Sequence, residues 1–106
     1  FHNLEDFKNF SGNSDIIINA TTLGSGNLSE KTPIEKSTLE ICSSKTIVFD
    51  IIYNPLKTKL LQEADSLGLK TINGLRMNLI QAVLAFSYTN NTDLSTERIF
   101  EIMSSI

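Results

Sequence analysis

An α/β fold built on a mainly parallel sheet is predicted by three features of this 106-residue chain. First, two short segments, Asp15 to Ala20 (DIIINA) and Lys45 to Ile52 (KTIVFDII), carry unbroken apolar, largely β-branched runs. Such runs suit strands buried from both faces, as in a parallel sheet flanked by helices. Second, segments of helical spacing follow the second strand and the short third one. Third, the element order reads β, loop, β, α, β, α, α, and such alternation is the signature of the α/β class.

The elements follow in order. Leu4, Phe7 and Phe10 recur at helical spacing and predict the end of a surface helix, which Ser11-Gly12-Asn13-Ser14 breaks. After the first strand, Thr21 to Pro33 is polar and holds Gly24, Gly26 and Pro33, so it reads as a long loop. Leu39 and Ile41 are expected to anchor a short helical turn. Asn54-Pro55 stops the second strand, because proline cannot donate to a ladder and restrains the residue before it. Thr58 to Leu67 reads as a helix with Leu60, Leu61, Ala64 and Leu67 on one face and Gly68 as its C-cap. Lys70 to Asn73 is the third strand. Gly74 to Tyr88 reads as a helix that is apolar nearly all round, hence buried or packed between domains. Ser95 is a good N-cap for the last helix, with Leu94 and Ile99 at the positions of a hydrophobic staple and Ile99, Phe100 and Met103 facing inward.

Composition narrows the function. Hydrophobic residues make up 41% and charged residues 20%, ordinary for a globular domain. Net charge is −3, with no run of Lys or Arg, which argues against nucleic acid and anionic membrane as partners. The longest apolar stretch, around Leu79 to Phe86, is far short of the roughly 20 residues of a membrane span. Cys42 is the single cysteine, so no internal disulfide forms, which fits a cytoplasmic location. The chain begins at Phe1 rather than Met, as expected either of a processed chain or of a fragment.

In open α/β sheets, ligands bind outside the carboxyl ends of the strands. Three segments leave such ends here: Asn19-Ala20-Thr21-Thr22, Asp50 to Pro55, and Asn73-Gly74-Leu75. Gly24-Ser25-Gly26 is only a weak match to a dinucleotide fingerprint and reads as a flexible loop. His2 and Cys42 lack partners for a catalytic or metal role. Asp50 sits inside a buried strand, where a carboxylate needs donors, and is expected to hold a neighbouring loop in place. Gln81 interrupts an apolar helix one turn after Met77, so the two share a face. From position alone, Gln81 marks either the solvent side of the helix or a polar contact. Tyr53, at a strand end, is either an amphipathic core residue or a ligand contact.

Three linked motifs carry a resemblance. DIIINATTLG (Asp15 to Gly24), FDIIYNPLKTKLL (Phe49 to Leu61) and NGLRMNLIQAVLAF (Asn73 to Phe86) resemble, in order and spacing, those of the shikimate dehydrogenases, over nearly all of the chain from Asp15 onward. The resemblance implies a partial Rossmann-like domain over residues 1–106, the C-terminal half of an NADP-binding domain with the C-terminal helices. It implies interconversion of 3-dehydroshikimate and shikimate with NADP(H). Tyr53 and Gln81 would contact shikimate. The backbone near Ile51 and Gly74 would contact the nicotinamide end of NADP, with Thr21, Thr22 and Met77 lining the cofactor channel. Asn19 would shape the loop after its strand.

Arg76, Asn78 and Lys59 depart from the family pattern, which usually has glycine, leucine and proline there. The family's catalytic Lys and Asp, its glycine-rich loop and its 2′-phosphate loop precede the matched segments. The 106 residues alone are therefore expected to be inactive and, with a sheet edge exposed, to self-associate as a homo-oligomer. A non-catalytic interaction module and a quinate- or NAD-using relative are the competing readings.

Overall fold

The computed structural model describes residues 4–105, with the side chains of residues 6–105. His2 lies outside them. The chain forms two units, residues 1–74 and 75–106.

The first unit is a three-stranded parallel sheet in the order β1-β2-β3, where β1 is Ile16–Asn19, β2 is Ile47–Asp50 and β3 is Lys70–Ile72. The register pairs Ile17 with Val48 and Asn19 with Asp50. The expected first helix is a 3-10 turn, Leu4–Phe7, running into α1, Lys8–Ser11. The predicted loop between β1 and β2 contains a 3-10 turn, Gly26–Leu28, and then α2, Lys36–Leu39. Between β2 and β3 lies α3, Lys59–Ser66.

Ile17, Leu39, Val48, Leu60, Leu61, Ala64 and Leu69 form one buried cluster, which places α2 and α3 on the same face of the sheet. The α3 face predicted from spacing is thus the observed one, with Leu67 packed at its margin. Thr58 caps α3, its side chain accepting from the Leu61 amide. At the other end Gly68 adopts φ 76°, its amide donates to the Asp65 carbonyl and the Leu69 amide to the Ala64 carbonyl. Those two bonds are a Schellman closure, and they need the positive φ that glycine adopts without penalty.

Two expectations are corrected. The strands are not covered on both sides within the described residues. Ile17 is buried, but its neighbours Ile16 and Ile18 are 48% and 54% exposed, and Ile72 on the same side of β3 is 43% exposed. The reason is that the helices of this unit pack on one face only. Ile41 does not anchor α2 either. Leu39 is fully buried, while Ile41, two residues on, is exposed.

The second unit is a helical pair, α4 (Leu75–Thr89) and α5 (Thr96–Ser104). Ser95 caps α5 by accepting from the Arg98 amide, as predicted. Ile99 is buried, and Phe100 and Met103 are half-buried. Of the two alternatives for α4, burial within the chain and packing between domains, the first is not met among the described residues. Only Val83 is buried, and Leu75, Ile80, Leu84 and Phe86 are each at least two-fifths exposed, because one helix covers one stripe of another.

A candidate binding recess at the strand ends

Polar side chains meet where β1 and β2 end. Asn19 and Asp50 face each other across the register, both buried. The Asn19 side-chain amide donates to Asp50 Oδ1 (3.1 Å) and to the Leu23 carbonyl (3.1 Å). Its Oδ1 accepts from the Thr21 amide (3.0 Å) and the Thr21 hydroxyl (2.7 Å). Asp50 Oδ1 also accepts from the Ile52 amide (3.1 Å), and Oδ2 from the Thr58 hydroxyl (2.7 Å). The carboxylate predicted to need donors therefore has three, and Asn19 does shape the loop that follows its strand.

Gly24, read from the sequence as part of a flexible loop, is buried with φ 110°. A Cβ there would lie 3.3 Å from Thr58 Cβ and 3.4 Å from Ile52 Cδ1. The loop after β1 thus rests on the start of α3. Gly74 closes the far side. Its amide donates to the Ile52 carbonyl (3.0 Å), and a Cβ on it would stand 1.8 Å from the Ile51 carbonyl oxygen. Only glycine allows this approach of two backbones.

These constraints frame a recess of about 340 Å³ lined by Thr21, Thr22, Ser25, Ile51, Ile52, Tyr53 and Asn54. The structure brings four of the sequence-predicted residues, Thr21, Thr22, Ile51 and Tyr53, onto one recess, with Gly74 packed against Ile51 behind them. Tyr53 is 47% exposed at its rim. Among the described residues, the hydroxyls of Thr22 and Tyr53 and the Asn54 side-chain amide carry no hydrogen bond. They are free to bind a small polar group at an otherwise apolar wall, the usual make-up of a ligand site. Ser25 lines the recess but was not singled out from sequence, and Asn54 was named only as part of the segment leaving β2. Asn54 had a signal, since it lies next to Tyr53 in the segment leaving β2.

Met77 and Gln81 sit one turn apart on α4, in the second unit, Met77 half-buried and Gln81 exposed. Arg76 is exposed at the start of the same helix. It lines a groove of about 420 Å³ within the helical pair, together with Thr96, Glu97, Phe100 and Glu101.

Lys57 pairs with Asp65 on α3, and the Thr71 hydroxyl donates to Asp65 (2.7 Å). The Lys57 and Thr71 bonds hold the Asp65 carboxyl below its ordinary range. Burial pushes the Cys42 thiol up, away from the reactive thiolate. Among the described residues no group of three His, Cys, Asp or Glu is placed to hold a metal ion, and no helix is long and apolar enough to cross a membrane.

No family model matches the chain. It is 48% identical over 73 residues to a shikimate dehydrogenase (NADP(+)) of Alkaliphilus oremlandii, covering 69% of this chain and 25% of the relative. It is 44% identical over 92 residues to the corresponding enzyme of Alkaliphilus metalliredigens, covering 87% of this chain and 32% of the relative. Among solved structures, the Listeria monocytogenes shikimate 5-dehydrogenase in complex with shikimate and NAD superposes with a TM-score of 0.75 at 31% identity, covering 95% of this chain and 34% of that one. The quinate dehydrogenase of Corynebacterium glutamicum in complex with NAD superposes with a TM-score of 0.74 at 28% identity, covering 97% and 35%. The chain spans about a third or less of the length of each.

A three-stranded parallel sheet with helical crossovers and a recess at the carboxyl ends of its strands is a Rossmann-like α/β arrangement, matching that of the solved structures it superposes on. The agreement in sequence is more specific than the fold. The chain belongs to the shikimate dehydrogenase family and corresponds to the C-terminal part of its members.

Proposed function

We propose that this chain supplies one wall of the active-site cleft of an NADP-dependent shikimate dehydrogenase, which interconverts 3-dehydroshikimate and shikimate. The observation that carries the proposal is the recess at the strand ends, where Thr21, Thr22, Ile51 and Tyr53 converge. Its size and its free hydroxyl and amide groups suit the nicotinamide end of the dinucleotide and the rim of a polyhydroxylated ring. When bound, the dinucleotide exchanges a hydride with the substrate. This chain's part is to bind and orient. In this reading the backbone of Ile51 and Gly74, with Thr21, Thr22 and Met77, lines the cofactor side. Tyr53 and Gln81 hydrogen-bond the substrate hydroxyls. Correct orientation of two reactants is worth several kcal/mol of barrier when the geometry is tight.

The proton-transferring Lys and Asp that the family resemblance implies fall outside the matched motifs. We therefore take residues 1–106 to be a partial domain, inactive by itself. NADP-dependent oxidation of shikimate by the 106-residue polypeptide would overturn that.

The test of the function is a two-by-two assay of the complete protein, with shikimate or quinate as substrate and NADP+ or NAD+ as cofactor. NADP+ with shikimate is expected to give the highest kcat/KM, and Gln81→Ala and Tyr53→Phe are expected to raise the KM for shikimate. Unchanged shikimate affinity in both variants would remove them from the site. A second reading, of a quinate- and NAD-using enzyme, rests on the similarity to a quinate dehydrogenase in complex with NAD, and the same four assays decide it.

A further inference from the structure

We infer that Asp50 and Asn19 are positioning residues that hold the two walls of the recess in one fixed arrangement, an inference that rests on the recess being the binding site. Neither side chain lines the recess, and both are buried, so neither is placed to touch a ligand. Burying a carboxylate and an amide in a sheet is unfavourable unless every polar atom is used, and an apolar pair of similar volume would serve the core as well. Their bonds show what the polar pair adds.

Each residue sends a bond into its own wall. Asn19 Oδ1 fixes the amide and hydroxyl of Thr21, and Asp50 Oδ1 fixes the amide of Ile52, the residue before Tyr53. The 3.1 Å bond between them joins the walls. Asp50 Oδ2 takes the Thr58 hydroxyl, and Thr58 caps α3. One connected path therefore runs from the start of α3 through Asp50 and Asn19 to Thr21. A shift in either wall has to break a bond in it. Backbone bonds hold part of this, since the Ile51 amide donates to the Asn19 carbonyl (3.2 Å) and the Gly74 amide to the Ile52 carbonyl (3.0 Å), but Thr21 lies beyond the paired residues of β1 and is reached through the Asn19 side chain.

The test uses the complete protein with Asn19→Ala, Asp50→Ala, Asp50→Asn and, as a control for lost stability, Leu39→Ala in the core. KM values for NADP+ and shikimate are measured at a temperature where circular dichroism shows each variant folded. Asn19→Ala is expected to raise the KM for NADP+ roughly tenfold and to affect shikimate less. Asp50→Ala is expected to raise both about tenfold, within the roughly hundredfold that a misplacement of about 1 Å can cost. Asp50→Asn keeps an oxygen for Asn19 and Ile52 and is expected to restore both values. Leu39→Ala is expected to lower the melting temperature with KM unchanged. If Asn19→Ala and Asp50→Ala lower the melting temperature but leave both KM values like those of Leu39→Ala, the network is merely structural and the inference is overturned.

If the wild-type protein oxidises neither shikimate nor quinate with either cofactor, the binding reading falls, and amide hydrogen exchange decides the coupling instead. Asp50→Ala should then speed exchange at Thr21, and Asn19→Ala at Ile52, each across the shared bond. Wild-type exchange at both positions would overturn the coupling. Should Asp50→Ala fail to fold, Asn19→Ala alone carries both readouts.

Discussion

Replacing Gly74 by alanine would put a methyl carbon 1.8 Å from the Ile51 carbonyl oxygen and 2.3 Å from its carbonyl carbon. Both are backbone atoms, so no side chain can swing aside. To reach even 3.0 Å, below which real contacts of this kind essentially do not occur, the two backbones must part by roughly 1.2 Å. The bond from the Gly74 amide to the Ile52 carbonyl, now 3.0 Å, would stretch beyond hydrogen-bonding range. Losing it costs about 1 kcal/mol net. The overpacking adds about 1–3 kcal/mol. Together the substitution should destabilise by about 2–4 kcal/mol, a large share of the stability of an ordinary domain. Urea unfolding of the purified wild-type and Gly74→Ala proteins, followed by far-ultraviolet circular dichroism, reads this directly as a lower midpoint at similar slope. A difference below about 0.5 kcal/mol, the range of an ordinary surface substitution, would refute the close approach of residue 74 to the end of β2.

Two smaller effects are expected. Ser95→Ala removes the side-chain acceptor of the Arg98 amide and should cost about 1 kcal/mol of α5 stability, read as faster amide exchange in the first turn of α5, with Ser95→Asp restoring it. Asp65→Asn bears on pH. The folded-state pKa of Asp65 is depressed, so its ionised form stabilises the fold above the unfolded value of about 3.9. That contribution is lost as pH falls through the lower folded value. The variant's melting temperature should therefore lie slightly below wild type at pH 7 and converge with it under acid, and an equal gap at both ends would sink the assignment.

Much of the fold was legible from local chemistry. Ser95 and Gly68 sit at helix ends because a hydroxyl satisfies an orphan amide and a glycine accepts positive φ, and neither depends on distant residues. The buried role of Asp50 could be foreseen, since a carboxylate between Phe49 and Ile51 has to find donors. What was not legible depends on tertiary approach. Three consecutive isoleucines look the same whether one face or two are covered, so the exposure of Ile16 and Ile18 could not be inferred from their spelling. Gly24 was read as loop because nothing local shows that Thr58, far along the chain, packs against it. For the site, the recess gathers Thr21, Thr22, Ile51 and Tyr53, with Asn54 beside Tyr53 in the segment leaving β2, while Ser25 joined it only once the loop's path was known.

The one-sided sheet has a calorimetric consequence. The heat-capacity change of unfolding comes mainly from apolar surface newly exposed to water, about 12–15 cal/mol/K per residue in an ordinary domain. Ile16, Ile18 and Ile72 are already about half exposed in the folded chain and have less left to contribute. Residues 1–106 by themselves should therefore unfold with a smaller heat-capacity change than their length suggests. Their stability should vary less steeply with temperature on either side of its maximum.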